Sequence, residues 1–432
     1  MARLIRWHDY ITINVYWFAL TTRSQVLSPL IVPLLVRQFV GDESKGSYMG
    51  TIRLWALMVA VLAQALMGLL SDHSTLRWGR RRPFIVAGTL GQVAVLTLIG
   101  FTTGLSGMTG YWVLFVLYIL SMVASDTAHA ATQGLIPDLV PEEKRGRVSG
   151  VKAVLELPLP LLFVSFVVGT MVSRGNLWGA LIAVMIVLTV CMLVTLLVRE
   201  QPLERVPFDI DWRPLVRLLS MTAAFTLIIL GSGAAVRLVM DGTVTFAPAA
   251  RLALIGLGGL AGMAVAAAMG VWLSVRISIG PMARANPSFA WWIVTRLCFL
   301  VATTNLGSFA VFFLQERFAD LRGEKAAGPA ATLVMLVGIF VLLSALPSGW
   351  LADRFGKKPL IALAGFLGAL GTLVVLLPSS LTLVHIGGSL IGTGVGLFYS
   401  AHWALGTQLV PQEEAGRYLG LSNLSGAGAG AI

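Results

Sequence analysis

Apolar residues run in long blocks along this chain, separated by short polar stretches. Twelve blocks are long enough to span a bilayer, at about 13 to 38, 50 to 71, 84 to 104, 111 to 135, 149 to 171, 178 to 198, 215 to 239, 252 to 275, 289 to 314, 330 to 352, 360 to 378 and 384 to 408. A hydrocarbon core about 30 Å thick needs roughly 20 apolar residues per helix. The predicted class is therefore all-α, a polytopic membrane protein of about twelve transmembrane helices. Pro158 and Pro160 in the fifth block predict a kink there, since proline breaks the hydrogen-bond ladder.

The polar stretches alternate in charge. Arg77 and Arg80 to Arg82, then Lys144, Arg145 and Arg147, then Arg199, Arg205 and Arg213, then Arg276 and Arg284, then Arg354, Lys357 and Lys358 all fall on one side. Cytoplasmic loops carry the excess of Lys and Arg, so this side is expected to be cytoplasmic. The amino terminus then lies inside, and the protein is a multi-pass component of the inner (plasma) membrane. Its first block is too long for a cleaved signal and lacks a small-residue cleavage site.

Composition excludes the soluble classes. Hydrophobic residues make up 57% of the chain and charged ones 12%, where a soluble domain has about 25% charged. The net charge of +11 would suggest nucleic acid in a soluble protein, but the one-sided loops account for it, and no nucleic-acid partner is expected. Cys191 and Cys298 lie in apolar runs without a Cys or His at ligand spacing. No metal, cofactor or catalytic constellation is visible, so the chain does not read as an enzyme.

Two motifs occur twice in matching order. Gly68-Leu-Leu-Ser-Asp72 leading to Gly79-Arg-Arg-Arg-Pro83 answers to Gly349-Trp-Leu-Ala-Asp353 leading to Gly356-Lys-Lys-Pro359. Asp138-Leu-Val-Pro141 with Gly146-Arg147 answers to Gln408-Leu-Val-Pro411 with Gly416-Arg417. In the same register Tyr16-Trp17-Phe18 answers to Trp291-Trp292-Ile293, while blocks seven and eight have no counterpart. Two homologous halves follow, with an amino-terminal bundle over 1–200, a central linker with two inserted helices over 201–288, and a carboxy-terminal bundle over 289–432.

Gly-x-x-x-Asp followed by Gly-Arg-Arg or Gly-Lys-Lys resembles the signature of the major facilitator superfamily. The extended run Arg77-Trp-Gly-Arg-Arg-Arg-Pro-Phe-Ile85 resembles the branch with sucrose/proton symporters and the glycoside-pentoside-hexuronide group. The resemblance implies two pseudosymmetric six-helix bundles, and the inserted pair resembles the central pair of fourteen-helix members. The second half stops at Ile432, fifteen residues past Arg417, a reach of about 22 Å at 1.5 Å per residue. The last two helices of the second bundle are therefore expected to be missing from this sequence.

Ionisable residues are rare within the blocks because each costs roughly 3 kcal/mol at a helix centre. Asp126, His129 and Gln133 share one face of the fourth block, and Asn14, Trp17, Thr21 and Gln25 share one face of the first. The resemblance implies that both helices line a central cavity, where they are candidates for the substrate and proton pathway. In the second half the candidates are Trp292, Arg296 and Asn305 on the ninth block and Tyr399 and His402 on the twelfth. Relatives in the sugar branch carry an acidic residue just before Trp-Ala, where this chain has His402-Trp403-Ala404. Arg23 is expected to form a structural ion pair with Glu156 at similar depth. Asp72, Gly79, Arg80 and Arg81, with Asp353, Arg354, Gly356 and Lys357, are expected to form a cytoplasmic gate, because Asp72 can accept charge-assisted hydrogen bonds from the arginines.

The function these residues suggest is a proton-coupled or facilitative secondary transporter of a small organic solute, a sugar or glycoside, working as a monomer by alternating access. An exporter of amphipathic or drug-like compounds is one alternative. A non-transporting assembly protein of transporter fold is another.

Overall fold

A computed structural model describes residues 6–141, 148, 151–152, 154–198, 200, 213–243, 245–278, 287–377 and 380–409. Among them the regular structure is entirely helical. Ten helical stretches are long and apolar enough to cross a membrane, and the 66-residue stretch Trp7–Asp72 holds the first two sequence blocks end to end. The ninth block appears as the shorter apolar stretch Pro287–Thr303. Each of the twelve blocks thus has a helix.

The first block is built from α1 (Trp7–Thr12), α2 (Val15–Val26) and a π-helical turn, Leu27–Ile31, that runs into α3 (Val32–Asp72). Pro29 lies in the π turn and has no N–H to donate, which favours the wider winding. Gly41 breaks α3 with φ +78° and ψ −179°, and this break separates the first two spans. The third and fourth spans are α4 (Arg82–Thr102) and α5 (Gly107–Leu139). In the fifth, a new helix, α6 (Pro158–Phe163), starts at Pro158, and a second π turn, Val164–Val168, leads into α7 (Gly169–Ser173). Proline supplies the break that the sequence predicts. The sixth span, α8 (Leu177–Thr195), is capped by the Asn176 side chain, which accepts from the Gly179 N–H at 2.8 Å.

Two helices follow, α9 (Arg213–Gly242) and α10 (Pro248–Ser278), packed on each other. Arg237 on α9 donates to Ser47 on α3 at 3.2 Å. Met221, Phe225 and Val271 from this pair bury against Phe289, Ile293 and Leu297 of α11 (Pro287–Arg317). The last three helices are α12 (Ala327–Phe355), α13 (Lys357–Leu376) and α14 (Leu381–Leu409). Glycines let α13 and α14 approach closely: Gly371 and Gly387 face each other backbone to backbone.

Several contacts tie the early helices to the late ones at one end of the molecule. α12 lies along α6 and α7, where Ser165 and Thr332 meet at 3.4 Å. Lys45 pairs with Glu316 at 2.5 Å and lies 5.3 Å from the Phe312 ring. Arg53 lies over Phe309. In the break beside Gly41, hydrogen bonds from Arg37 and Lys45 hold the Asp42 carboxyl below the usual carboxylate range. A cavity of about 300 Å³ opens at this end, lined by Leu34, Arg37, Gln38, Asp42, Leu177, Gly323 and Glu324.

Candidate functional site

α2 and α5 bring the sequence-predicted polar faces of the first half together. Asp126 Oδ1 lies 3.5 Å from His129 Nδ1, and Gln133 Nε2 lies 3.1 Å from His129 Nε2. The tautomer with its proton on Nδ1, the nitrogen turned to Asp126, satisfies both neighbours, because Nε2 then accepts from the Gln133 amide. Spacings of three and four residues on α5 produce this chain. Trp17 meets the His129 ring edge to face at 5.2 Å. The ammonium of Lys152 sits 3.7 Å from the centre of the Trp17 ring, within the range of a cation–π contact.

Asn14 is fully buried and ties the helices together, donating to Tyr10 O at 2.9 Å and to Val148 O at 3.0 Å. Thr21 and Gln25 continue the α2 face and are partly exposed. The Trp17 indole N–H is buried and has no hydrogen-bond partner among the described residues.

The Arg23–Glu156 pair does not form. Arg23 is buried on α2 and donates to Ser121 Oγ and to Met122 Sδ at 3.6 Å, with Asp126 within electrostatic reach. Glu156 instead pairs with Lys152 one turn away, at 3.4 Å. Similar depth suggested the wrong partner: a neutral hydroxyl on α5 takes the guanidinium, and the local i,i+4 neighbour takes the carboxylate. Lys152 escaped the sequence reading, although its spacing to Glu156 in an otherwise apolar run was the available signal.

In the late helices, Trp292 and His402 close on each other. Trp292 Nε1 donates to His402 O at 2.8 Å, His402 Nε2 lies 2.9 Å from Trp292 O, and the rings stack at 4.6 Å. Phe398 stacks on the other side of His402 at 4.6 Å. This makes His402 a packed, bonded residue. Arg296 lies 5.7 Å from the Tyr399 ring. Its Nε and Nη1 are buried and have no hydrogen-bond partner among the described residues. The side chains of Asn305 and Asp353 lie outside the described residues.

The first copy of the repeated loop motif is a dense ionic cluster. Arg81 is buried at its centre, with Nε 2.8 Å from Asp138 Oδ2, Nη1 3.0 Å from Ser71 Oγ, and Nη2 paired with Asp72. Arg80 Nη2 reaches both Asp138 oxygens at 2.6 Å and lies 3.7 Å from Asp72. The Arg81 backbone N–H donates to Glu200 Oε2 at 2.7 Å. Gly79 has φ +110°, and a Cβ there would lie 2.5 Å from that carboxylate. Both conformation and space therefore demand glycine. Asp138, Ser71 and Glu200 were not among the sequence candidates; Asp138 had been noted only as the start of the second motif.

The second copy keeps its glycine, Gly356 at φ +88°. Its Arg354 lies over the rings of Trp350 and Phe355, at 5.3 and 5.6 Å. Lys357 begins α13 and is partly buried.

Comparison with known proteins places this geometry in context. The family model described as the Major Facilitator Superfamily matches residues 15–303 and 281–432. A lactose permease of Lactobacillus helveticus is 27% identical over 145 residues, which is 31% of this chain and 22% of the permease, so the match spans about a fifth of that relative's length. Among solved structures, a peptide transporter, POT, superposes with a TM-score of 0.68 at 15% identity, covering 100% of this chain and 89% of that one. A D-xylose-proton symporter superposes at 0.63 with 14% identity, covering 98% and 88%. A nucleoside transporter superposes at 0.62 with 13% identity, covering 98% and 89%. Identities this low speak to the shared fold.

Proposed function

The chain belongs to the Major Facilitator Superfamily, and from that premise we propose that it is a proton-coupled secondary transporter of a small organic solute, a sugar or glycoside, working by alternating access. The observation that carries this reading is the connected array of Asp126, His129, Gln133, Trp17 and Lys152, reached from three separate segments of the chain. The lactose permease match and the fold shared with a xylose-proton symporter favour a sugar-like solute.

The proposed chemistry follows from charge balance. Asp126 with His129 is an acid–base pair in a site of limited hydration, with Arg23 nearby. Protonation of the pair cancels its negative charge and weakens its hold on Arg23. An approaching solute hydroxyl can in turn take the hydrogen-bond donors that the carboxylate releases. Gln25, Thr21 and the unpaired indole N–H of Trp17 would bind the polar edge of the solute.

The architecture proposed for this work is two pseudosymmetric bundles, 1–200 and 289–432, flanking an inserted pair within 201–288, as in fourteen-helix members. The positive-inside rule places the Arg81 cluster and the amino terminus in the cytoplasm. Contacts such as Lys45–Glu316 would then close the outer end, which corresponds to an inward-facing state. The Asp72, Arg80 and Arg81 cluster would hold the cytoplasmic ends of α3, α4 and α5 together as one gate element while the bundles rock.

The deciding experiment is uptake and efflux of a labelled panel (lactose, xylose, a dipeptide, a nucleoside) in proteoliposomes with and without a pH gradient. One solute should accumulate only with the gradient. Asp126→Asn should lower gradient-driven accumulation at least about tenfold while leaving solute exchange at equal pH measurable. Unchanged pH dependence in Asp126→Asn would remove the coupling role.

A further inference from the structure

The two repeated motifs set a register between the halves in which Trp17 answers to Trp292, Thr21 to Arg296 and His129 to Tyr399. In the first half, Lys152 is neutralised by Glu156 at 3.4 Å, and the buried Arg23 donates to the Ser121 hydroxyl with Asp126 within electrostatic reach. In the second half, the cation is Arg296, and no carboxylate lies within ion-pair distance of it among the described residues. It is 8% exposed, and its Nε and Nη1 have no partner there. Tyr399 beside it is 42% exposed.

A buried guanidinium without a counter-charge is costly, and such groups inside membranes mark the path of a charged ligand. Its planar fork of N–H donors matches a carboxylate with two parallel hydrogen bonds. The aromatic face of Tyr399 suits a planar group lying against the guanidinium. We propose that Arg296 is the anchor for an anionic group on the transported solute, and that this sugar-like substrate carries a carboxylate, with Tyr399 bordering the site. Trp292 and His402, locked together by their reciprocal contacts, act as positioning residues that hold this face of α11 against α14. This deepens the transport reading and rests on it.

Matched probes test the charge directly. Benzoate with benzamide, and gluconate with glucose, are titrated against the purified full chain in neutral detergent, and binding is read by tryptophan fluorescence and by thermal shift. The carboxylates should bind at least about tenfold more tightly than their uncharged partners, the range expected for one charge-assisted pair. Arg296→Gln should abolish that preference, and Arg296→Lys should keep part of it. Equal binding of acid and amide by the unaltered protein overturns the proposal without any variant, so a misfolded Arg296→Gln cannot obscure the result. A lipid headgroup offers the same anion chemistry. Loss of benzoate binding on adding phosphatidylglycerol, in an Arg296-dependent way, would assign the site to lipid and overturn the solute. Neutral solutes crossing the bilayer while neither carboxylate binds would sink this inference alone. No solute of either kind crossing, with binding intact, would sink the transport reading instead.

Discussion

The two halves repeat the same motifs, and they differ in how completely their charges are satisfied. At the first loop motif, Arg81 contacts Asp72, Asp138 and Ser71, and its backbone holds Glu200. At the second, Arg354 rests on two aromatic rings. At the level of the proposed site the pattern recurs: Lys152 has Glu156, while Arg296 has a tyrosine ring and two donors without a partner among the described residues. Among the described residues, pseudosymmetry in sequence thus does not carry over to these cations; the side chains of Asp353 and Gln408, the counterparts of Asp72 and Asp138, lie outside them. Within those residues the first half is the more saturated, and on the reading proposed above the second offers charge to a solute that comes and goes.

The strongest way to break this comparison is to remove the two arginines in turn. Arg81→Gln leaves a buried hydroxyl without its donor and two carboxylates with Arg80 as their one remaining cation in the cluster. Breaking a buried ion pair costs about 3 to 5 kcal/mol when the remaining charge is buried, and Asp72 and Asp138 are partly exposed, so a loss of about 2 to 3 kcal/mol is expected. Arg354→Gln removes exposed cation–π contacts and should cost about 0.5 to 1 kcal/mol. Unfolding of the purified protein in mixed micelles, followed by circular dichroism, measures both. Equal losses would show that the loops are energetically equivalent after all.

The glycines of the same loops give a smaller but cleaner contrast. Both sit at positive φ, where a side chain costs about 1 to 3 kcal/mol. Gly356→Ala meets only the Pro359 ring at 3.6 Å, an ordinary contact, and should lose about 1 kcal/mol. Gly79→Ala adds a clash with Glu200 and should lose about 2 kcal/mol or more. In Gly79→Ala with Glu200→Gly the extra loss should disappear, because both the carboxylate and the Glu200 Cβ, 2.8 Å from the added Cβ, are gone. Its persistence would place the cost in the backbone alone.

These contrasts also show where sequence was sufficient. Hydropathy located the long apolar helices among the described residues, because a bilayer leaves the backbone few alternatives. The α5 face was legible because Asp126, His129 and Gln133 are joined by helical periodicity within one element. Partners between elements were not legible in the same way. Arg23 has its hydroxyl partner, Ser121, on another helix, and nothing in the local sequence of either residue points to the other. Depth alone favoured Glu156, which in fact had a nearer cation in Lys152. The loop cluster was half legible: Asp72 and the arginines share a motif, whereas Asp138 and Glu200 arrive from the ends of the fourth and sixth spans.

The two tryptophans offer the finest test, because they occupy equivalent positions and differ in one hydrogen bond. Trp292→Phe removes the side-chain hydrogen bond to the His402 carbonyl, so it should lose about 1 kcal/mol beyond the smaller ring. Trp17→Phe has no such bond to lose, and phenylalanine keeps an aromatic face for Lys152 and an edge for His129. Its unfolding midpoint should shift by less than that of Trp292→Phe. Solute transport should respond in the opposite order: Trp17→Phe should raise the KM for the panel solute several-fold, since the indole N–H is the donor that the fold leaves unused. A large stability loss in Trp17→Phe with unchanged KM would mean that this N–H serves the packing of α2 rather than the solute, and the distinction between a saturated and an offering half would fail at its most sensitive point.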